Sequence, residues 1–259
     1  MLGAVIGDIV GSRFELAACR STEFSFFDAS CTFTDDTVCT AAVADWLLQA
    51  AQPDLARLMQ DWCRRYPDCG YGSRFADWVA SDAPQPYDSW GNGSAMRVSP
   101  VGWAFDTLAE TLVYARRSAE ITHNHPEGIR GAEVTAAAIF WARTGQDKAA
   151  IRRLLAQHFP GYVREESVEE IRKAYQFTEH CAETVPQALA AFFDSKDFAH
   201  AVRLAVSLGG DADTLAAIAG SVAQAYYGIP VELADAAAVY LPEDIRRVCA
   251  AFSARFACR

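Results

Sequence analysis

The spacing of apolar residues constrains this chain most strongly, because it follows the helical period along almost the whole length. Apolar side chains recur every three or four positions, and few segments alternate with the two-residue period of a strand. Many of the predicted helical faces are rich in alanine, and such small side chains let helices pack closely. The pattern predicts an all-α fold, with a single compact domain of ten or more helices over residues 1–259.

The predicted helices are separated by turn-forming segments, and no linker, low-complexity tract or repeat divides the chain. The spacing predicts helices at residues 2–11, 36–51, 54–65, 75–79, 95–105, 107–119, 132–144, 148–159, 168–178, 186–193, 198–208, 213–227, 235–239 and 243–256. Residues 66–72, 82–94 and 122–128 are rich in Gly, Pro, Asn or Asp and predict turns or loops.

The charge balance excludes some classes of partner. The chain has 33 acidic and 23 basic residues, for a net charge of −10. An acidic surface repels phosphate backbones and anionic lipids, so we expect neither a nucleic-acid nor a membrane partner. No apolar run approaches the ~18 residues of a membrane span. We expect a monomeric cytoplasmic protein.

The cysteines predict no disulfide framework. There are eight, without a CxxC pair, and in a chain of this length they are typical of small buried side chains in a reducing cytosol. Residues 16–19 (LAAC) match a lipoprotein cleavage box, but the preceding segment lacks a basic start and contains Asp8, Arg13 and Glu15. We therefore expect no export. The cysteines are Cys19, Cys31, Cys39, Cys63, Cys69, Cys181, Cys249 and Cys258.

Two acidic clusters each precede a strongly apolar helix. The first is the segment TDDT at residues 34–37, and the second is GGDADT at residues 209–214. Helix capping needs one or two such residues, and each cluster has more. If the helices converge, four carboxylates share one cavity, and each like-charged pair at ~4 Å costs about 4 kcal/mol at an effective dielectric constant near 20. Protonation or bound cations must relieve that repulsion. Sequence spacing does not show whether the clusters converge.

The candidate ligand atoms are all oxygens, which favours Mg²⁺, Mn²⁺ or Ca²⁺ over zinc. Four carboxylates balance two divalent ions in formal charge, so a paired site is one interpretation, and a single ion is the alternative.

Five motifs follow one another in an order that is specific although none is decisive alone. They are GDIVGSRFE at residues 7–15, TDDT at 34–37, GNGSAMR at 91–97, THNHP at 122–126 and GGDADT at 209–214. In these motifs the chain resembles the ADP-ribosylglycohydrolase family, which includes dinitrogenase-reductase-activating glycohydrolase. The resemblance runs from about residue 3 to residue 228.

The resemblance implies an all-α fold with a binuclear magnesium or manganese site in a central ADP-ribose cleft. It implies a hydrolase that removes ADP-ribose from a modified protein side chain, or from a related conjugate, by attack of water at the anomeric carbon. Glu15 and Asp35 would be catalytic, either one accepting the proton of the water. Two Mg²⁺ ions, with Mn²⁺ possible, would be held by Thr34, Asp35, Asp36, Asp211, Asp213 and Thr214.

Matching positions also imply a substrate-binding wall. Its residues are Gly70, Gly72, Ser89, Trp90, Asn92, Gly93 and His123. Trp90 would offer an aromatic face to adenine, and the alternative is an apolar anchor for its loop. The chain departs from its relatives at Ala212, where a small polar residue is common, and this change removes no carboxylate.

Other polar residues have structural interpretations. Arg97 could bind phosphate, but we favour a structural role in which it holds a carboxylate. We interpret Asp8 as a supporting or packing residue. His125 is either a turn residue or a site residue.

Two other classes of protein fit parts of the pattern. One is a binding module that has lost hydrolysis, and the other is an unrelated metal-dependent phosphohydrolase. The first would lack an aspartate or Glu15, and the second would leave the segments at 91–93 and 122–123 unexplained. The linkage cleaved stays open between arginine, serine or threonine, O-acetyl-ADP-ribose and a nucleic-acid end.

Overall fold

Fifteen α-helices and a short 3₁₀ helix (Ser12–Phe14) form the secondary structure of residues 1–256, which a computed structural model describes. They are α1 (Leu2–Gly11), α2 (Asp35–Leu48), α3 (Leu55–Arg65), α4 (Ser73–Ala80), α5 (Gly93–Arg97), α6 (Ser99–Ala104), α7 (Leu108–Glu120), α8 (Pro126–Arg143), α9 (Lys148–His158), α10 (Val168–Arg172), α11 (Cys181–Asp194), α12 (Phe198–Val206), α13 (Ala212–Tyr227), α14 (Val231–Ala238) and α15 (Glu243–Phe256). Residues 1–256 contain no β-sheet, only an isolated bridge between Gly91 and His180. The prediction of an all-α domain with ten or more helices is confirmed.

The closest packing in the core joins α1 to α13. A β-carbon built on Gly7 would lie 2.1 Å from the carbonyl oxygen of Ala216, and one on Gly220 would lie 2.4 Å from that of Gly3. Both distances are too short for any side chain, so glycine alone lets the two backbones touch at these points. A β-carbon on Gly11 would likewise lie 2.5 Å from the carbonyl oxygen of Ala212, so the contact continues to the first turn of α13.

Several other helices pack on this pair. α8, α11 and α12 pack on α13, while α2 packs on α1 and is covered by α3 and α15. The first turns of α2 and α13 therefore meet at the same end of the bundle.

Proline positions account for two errors in the predicted boundaries. α8 begins at Pro126 rather than at residue 132, because a proline in the first turn lacks only an N–H that has no helical partner, and the side chain of His125 caps the helix. α11 begins at Cys181 and contains Pro186 in its interior, so the prediction of a helix start at residue 186 is wrong.

Three further boundaries differ from the predictions. The segment 95–105 divides at Val98 into α5 and α6, and proline lies in the first turn of α6. The helix predicted at 168–178 ends at Arg172, and the one predicted at 235–239 is α14, which begins at Val231. The shortened α10 matters most, because residues 174–180 become an irregular segment whose last residues line a cavity.

The seven cysteines of the described residues are free thiols, as predicted, and Cys258 lies outside the described residues. Within residues 1–256, no helix combines the length and the apolar character needed to cross a membrane.

Candidate active site

The first acidic cluster lies at the start of α2, where Asp8 of α1 holds the backbone. The buried Asp8 carboxylate accepts hydrogen bonds from the backbone N–H groups of Thr34 and Thr37, at 3.0 and 3.1 Å. Both threonine hydroxyls also donate to it, that of Thr34 at 2.8 Å. The Thr34 hydroxyl accepts from the backbone N–H of Asp36 and caps the helix. Asp8 thus fixes where Asp35 and Asp36 lie, as its interpretation as a supporting residue implies.

The second acidic cluster lies at the start of α13. Gly209 has a φ of 69°, a left-handed conformation that favours glycine, and the chain then enters the helix at Asp211. The side-chain amide of Asn92 donates to the Asp211 carboxylate at 2.7 Å. The Asp213 carboxylate accepts from the backbone N–H of Thr214 at 2.9 Å. Both carboxylates of this cluster are therefore held in defined positions.

A single hydrogen bond joins the two clusters. The Thr214 hydroxyl donates to the Asp36 carboxylate at 3.3 Å, across 178 positions of sequence. Both residues are buried. The convergence that sequence spacing left open is therefore present in the fold.

The clusters lie at the base of a cavity of about 380 Å³. Thr34 is the only predicted site residue that does not line this cavity, and its hydroxyl donates to Asp8. The predicted site residues that line it are Glu15, Asp35, Asp36, Gly70, Gly72, Ser89, Trp90, Asn92, Gly93, His123, Asp211, Asp213 and Thr214.

Burial and mutual repulsion raise the pKa values of the carboxyl groups around this base. Burial, and after it the charges of Asp8 and Asp211, raises the pKa of Asp35 to about 8. Burial raises the pKa of Asp36 and of Asp213 well above the usual range, and neighbouring carboxylates add to both shifts. The ionised forms need nearby positive charge to become stable.

The donor set fits a hard cation. Glu15, Asp211 and Asp213 each place a carboxylate oxygen within 4.8 Å of the others. The Oδ1 atom of Asp36 is buried and has no hydrogen-bond partner among residues 1–256. An unpartnered buried oxygen is costly, and a bound cation would satisfy it. Glu15 thus lies with the second cluster. The resemblance implied a catalytic residue that approaches a metal or gates the site.

A glycine loop forms the wall next to the first cluster. The backbone N–H of Asp35 donates to the carbonyl of Cys69 at 2.8 Å, which ties this loop to the start of α2. Gly70 has a φ of 87°, and a β-carbon on Gly72 would meet open space. The loop therefore leaves backbone exposed beside the carboxylates.

His123 forms another wall of the cavity and is neutral. Burial, and after it the charge of Arg97, lowers the pKa of His123 well below its usual value. The Arg97 guanidinium donates to the Thr122 hydroxyl at 2.8 Å, so that hydroxyl can give its own proton to His123 Nδ1, 2.7 Å away. This network assigns the remaining proton to Nε2, which lies close to Gly93 and faces the cavity.

The same network corrects the interpretation of Arg97. Its buried guanidinium donates to the carbonyl of Ser118 at 2.9 Å and to the Thr122 hydroxyl, so the predicted carboxylate partner is wrong. Its role is structural, since it orients Thr122 and through it His123.

Trp90 lies at the mouth of the cavity and is 47% exposed. Its ring meets those of His125 and His180 edge-on, with centroids 5.7 and 5.8 Å away. His125 caps α8 by accepting from the backbone N–H of Glu127, which favours the structural interpretation of this histidine.

Six lining residues escaped the sequence analysis: Ser73, Arg74, Phe75, Tyr87, Glu179 and His180. Arg74 stacks on the Tyr87 ring, with its guanidinium carbon 4.9 Å from the ring centroid. Its closeness in sequence to Gly72 was a usable signal. No sequence signal pointed to Glu179, because a long-range contact brings it to the site. The backbone N–H of Asn92 donates a hydrogen bond to the carbonyl of Glu179 at 2.6 Å.

The fold and the cavity define an all-α protein in which two helix N-termini present paired carboxylates to a pocket with glycine and histidine walls. The sequence profile of the ADP-ribosylglycohydrolase family matches residues 1–257, and the chain belongs to that family.

Related proteins align over most of this chain. The ADP-ribosylhydrolase ARH3 of Xenopus tropicalis is 25% identical over 88% of this chain and 86% of its own. The ADP-ribosylarginine hydrolase Tri1 of Pseudomonas putida is 27% identical over 88% of this chain and 70% of its own. A solved structure described as an ADP-ribosylglycohydrolase-related protein complex superimposes with a TM-score of 0.73, at 27% identity, over 98% of this chain and 96% of that one.

Proposed function

We propose that this protein is a metal-dependent hydrolase that removes ADP-ribose from a modified protein side chain or a related conjugate. The observation that carries the proposal is the Thr214–Asp36 hydrogen bond, since it brings both acidic clusters to the base of one cavity. The volume of about 380 Å³ suits a small organic ligand. Relatives named as an ADP-ribosylhydrolase and an ADP-ribosylarginine hydrolase support the reaction class.

The cofactor in this proposal is a pair of Mg²⁺ ions, with Mn²⁺ as the alternative. Asp35, Asp36, Asp211, Asp213 and Thr214 would hold it, with Thr34 as the sixth predicted ligand. When bound, such ions orient ribose hydroxyls and lower the pKa of a coordinated water. The unpartnered Asp36 Oδ1 and the raised carboxyl pKa values support a site that is completed by positive charge.

The carboxylates of the cavity perform the proton transfer and stabilise the developing charge. Cleavage of the bond at the anomeric carbon builds positive oxocarbenium character on the ribose, which nearby carboxylates stabilise. Glu15 or Asp35 accepts the proton of the attacking water, as both line the cavity. The products are ADP-ribose and the unmodified residue.

The walls of the cavity bind the rest of the substrate. His123 offers its Nε2–H to a ribose or phosphate oxygen, and the exposed backbone at Gly70 and Gly72 suits the diphosphate. Trp90 presents an aromatic plane for adenine at the mouth.

A panel of defined conjugates tests this function. The purified protein is incubated with peptides carrying ADP-ribose on arginine, serine or threonine, with O-acetyl-ADP-ribose and with an ADP-ribosylated nucleic-acid end. Release of free ADP-ribose is measured by liquid chromatography. At least one conjugate is expected to be cleaved, EDTA is expected to abolish turnover, and Mg²⁺ or Mn²⁺ to restore it. Full activity in a metal-free preparation would contradict the metal dependence, and no release from any conjugate would contradict the reaction.

A further inference from the structure

A second depression adjoins the candidate active site and shares part of its wall. We call it the side groove, and its volume is about 720 Å³. Glu179 and His180 line both it and the active-site cavity, so the two spaces adjoin at these residues. Most of its lining comes from the irregular segment 174–180. Its charged and aromatic lining residues are Arg164, Tyr175, Phe177, Glu179, His180 and Glu183.

The surface of the side groove combines an aromatic ring with negative charge. Phe177 lines the groove and is 49% exposed, so its ring is available for contact with a ligand. Glu179 and Glu183 are both exposed. Arg164, the basic residue of the lining, donates to the side chain of Gln187 at 3.1 Å. The groove therefore has two carboxylates against one guanidinium, in a protein of net charge −10.

Tyr175 provides an independent sign of a ligand. It lines the groove, is only 8% exposed, and packs so closely on the second acidic cluster that a β-carbon on Gly210 would lie 2.5 Å from its ring. Its hydroxyl makes no hydrogen bond of normal geometry within residues 1–256, although Thr184 is near enough to affect its pKa. Buried hydroxyl groups usually have a partner.

We propose that the side groove binds the polypeptide that carries the ADP-ribosylated residue, and that it favours basic residues beside the modified one. This inference rests on the proposed function and concerns the part of the substrate to which ADP-ribose is attached. The groove joins the active site next to Glu179, whose charge acts on both Glu15 and Asp211, so it begins beside the carboxylates rather than at a distance. A peptide that extends from the modified residue into the side groove would pass Glu179 and then contact Phe177 and Glu183.

The charge of the groove selects among acceptors. Lysine or arginine side chains would pair with Glu179 and Glu183, and their aliphatic stems would cover Phe177. A nucleic-acid backbone would place phosphates against the same carboxylates, which is unfavourable.

Two substitutions test the groove without touching the active-site cavity, since neither Phe177 nor Glu183 lines that cavity. Glu183→Gln removes one charge and keeps an oxygen that can accept from the Thr178 hydroxyl, as Glu183 does at 2.6 Å. Phe177→Ser removes the exposed ring. Matched controls are Glu232→Gln and Val239→Ser, which change exposed residues outside both cavities.

The assay uses the linkage that the wild-type protein cleaves, in three substrates: a peptide with lysines beside the modified residue, the same peptide with glutamates, and a small conjugate without a peptide. The wild-type protein is expected to have a lower KM for the lysine peptide, and added NaCl should reduce this difference. Glu183→Gln should raise that KM roughly two- to fivefold, and Phe177→Ser about tenfold. The groove variants should turn over the small conjugate at the wild-type rate. Both control variants should match the wild-type protein on all three substrates.

Several results would overturn the inference. One is equal KM values for the lysine and glutamate peptides with the wild-type protein. Another is that the groove variants lose as much activity on the small conjugate as on the lysine peptide. A third, measured with an ADP-ribosylated nucleic-acid end as an additional substrate, is that the groove variants raise the KM for this conjugate as much as for the lysine peptide. The wild-type peptide comparison decides the question even if a groove variant does not fold. Failure of the proposed function is distinguishable from failure of this inference, because in the first case no conjugate is cleaved at all.

Discussion

Replacing Gly7 by alanine is expected to destabilise the protein, against the usual effect of this substitution in a helix. Alanine is favoured over glycine in a helix interior by about 1 kcal/mol. At Gly7, however, the new β-carbon would lie 2.1 Å from the carbonyl oxygen of Ala216, and the nearest contacts are all backbone atoms of α13. An ordinary contact begins at 3.4 Å, so α1 and α13 must move apart by about 1.3 Å (3.4 − 2.1).

The magnitude of the loss results from two opposing effects. Overpacking typically costs ~1–3 kcal/mol, and a clash with rigid backbone belongs at the upper end. After the gain in helix propensity, the free energy of unfolding should fall by about 2 kcal/mol, which lowers Tm by roughly 4–8 °C in a protein of this size. The separation also shifts Asp8, and with it the start of α2, away from Asp211 and Asp213. Metal affinity should therefore fall with stability.

Thermal denaturation and calorimetric metal titration measure both effects. Gly72→Ala is a suitable control for stability, because a β-carbon there meets open space and the φ of Gly72 is −56°. Its free energy of unfolding should be unchanged or slightly higher. If Gly7→Ala were instead as stable as the wild-type protein or more so, the close approach of α1 and α13 would be refuted.

Three further outcomes test the site. Asp36→Asn and Asp213→Asn should lose metal affinity and activity while the chain stays folded, and unchanged affinity in a calorimetric titration of both would contradict their assignment as ligands. Trp90→Ala should weaken ADP-ribose binding by ~1–3 kcal/mol at constant apo Tm; a lower apo Tm with intact affinity would show that Trp90 is a loop anchor. The third outcome concerns pH. In the metal-free protein the folded state holds a proton on Asp35 up to about pH 8, whereas the unfolded state loses it near 3.8. The folded state thus binds more protons in this window, so stability should fall as pH rises through it, and saturating Mg²⁺ should remove the effect. Melting curves of EDTA-treated protein between pH 5 and 9 measure this, and a profile unchanged by Mg²⁺ would contradict it.

The helical architecture could be predicted because it depends on local pattern. Apolar residues at helical spacing predict α2, α3 and α13 to within a few residues. The errors arose at prolines, because a proline is compatible with more than one position relative to a helix. Pro126 lies in the first turn of a helix and Pro186 lies inside one, and which of these applies depends on the capping and packing around each.

The acidic clusters could also be found in the sequence, because an excess of carboxylates before an apolar helix is a local feature. Glu179 and Tyr175 could not. They belong to a segment whose spacing fits a helix as far as residue 178, but α10 ends at Arg172. Long-range contacts of Glu179 with Asn92 and of His180 with Gly91 hold the end of this segment in an irregular conformation.

The sequence by itself determined the helical fold, the position of each carboxylate at a helix N-terminus and the oxygen chemistry of the site, since periodicity and capping act within a few residues. The tertiary structure decided which carboxylates share a cavity, that Glu15 lies with Asp211 and Asp213, and that Asp8 supports the start of α2. Those relations depend on how closely two backbones approach. Here the glycine contact between α1 and α13 sets that distance, and it joins residues more than 200 positions apart, beyond the reach of any local pattern.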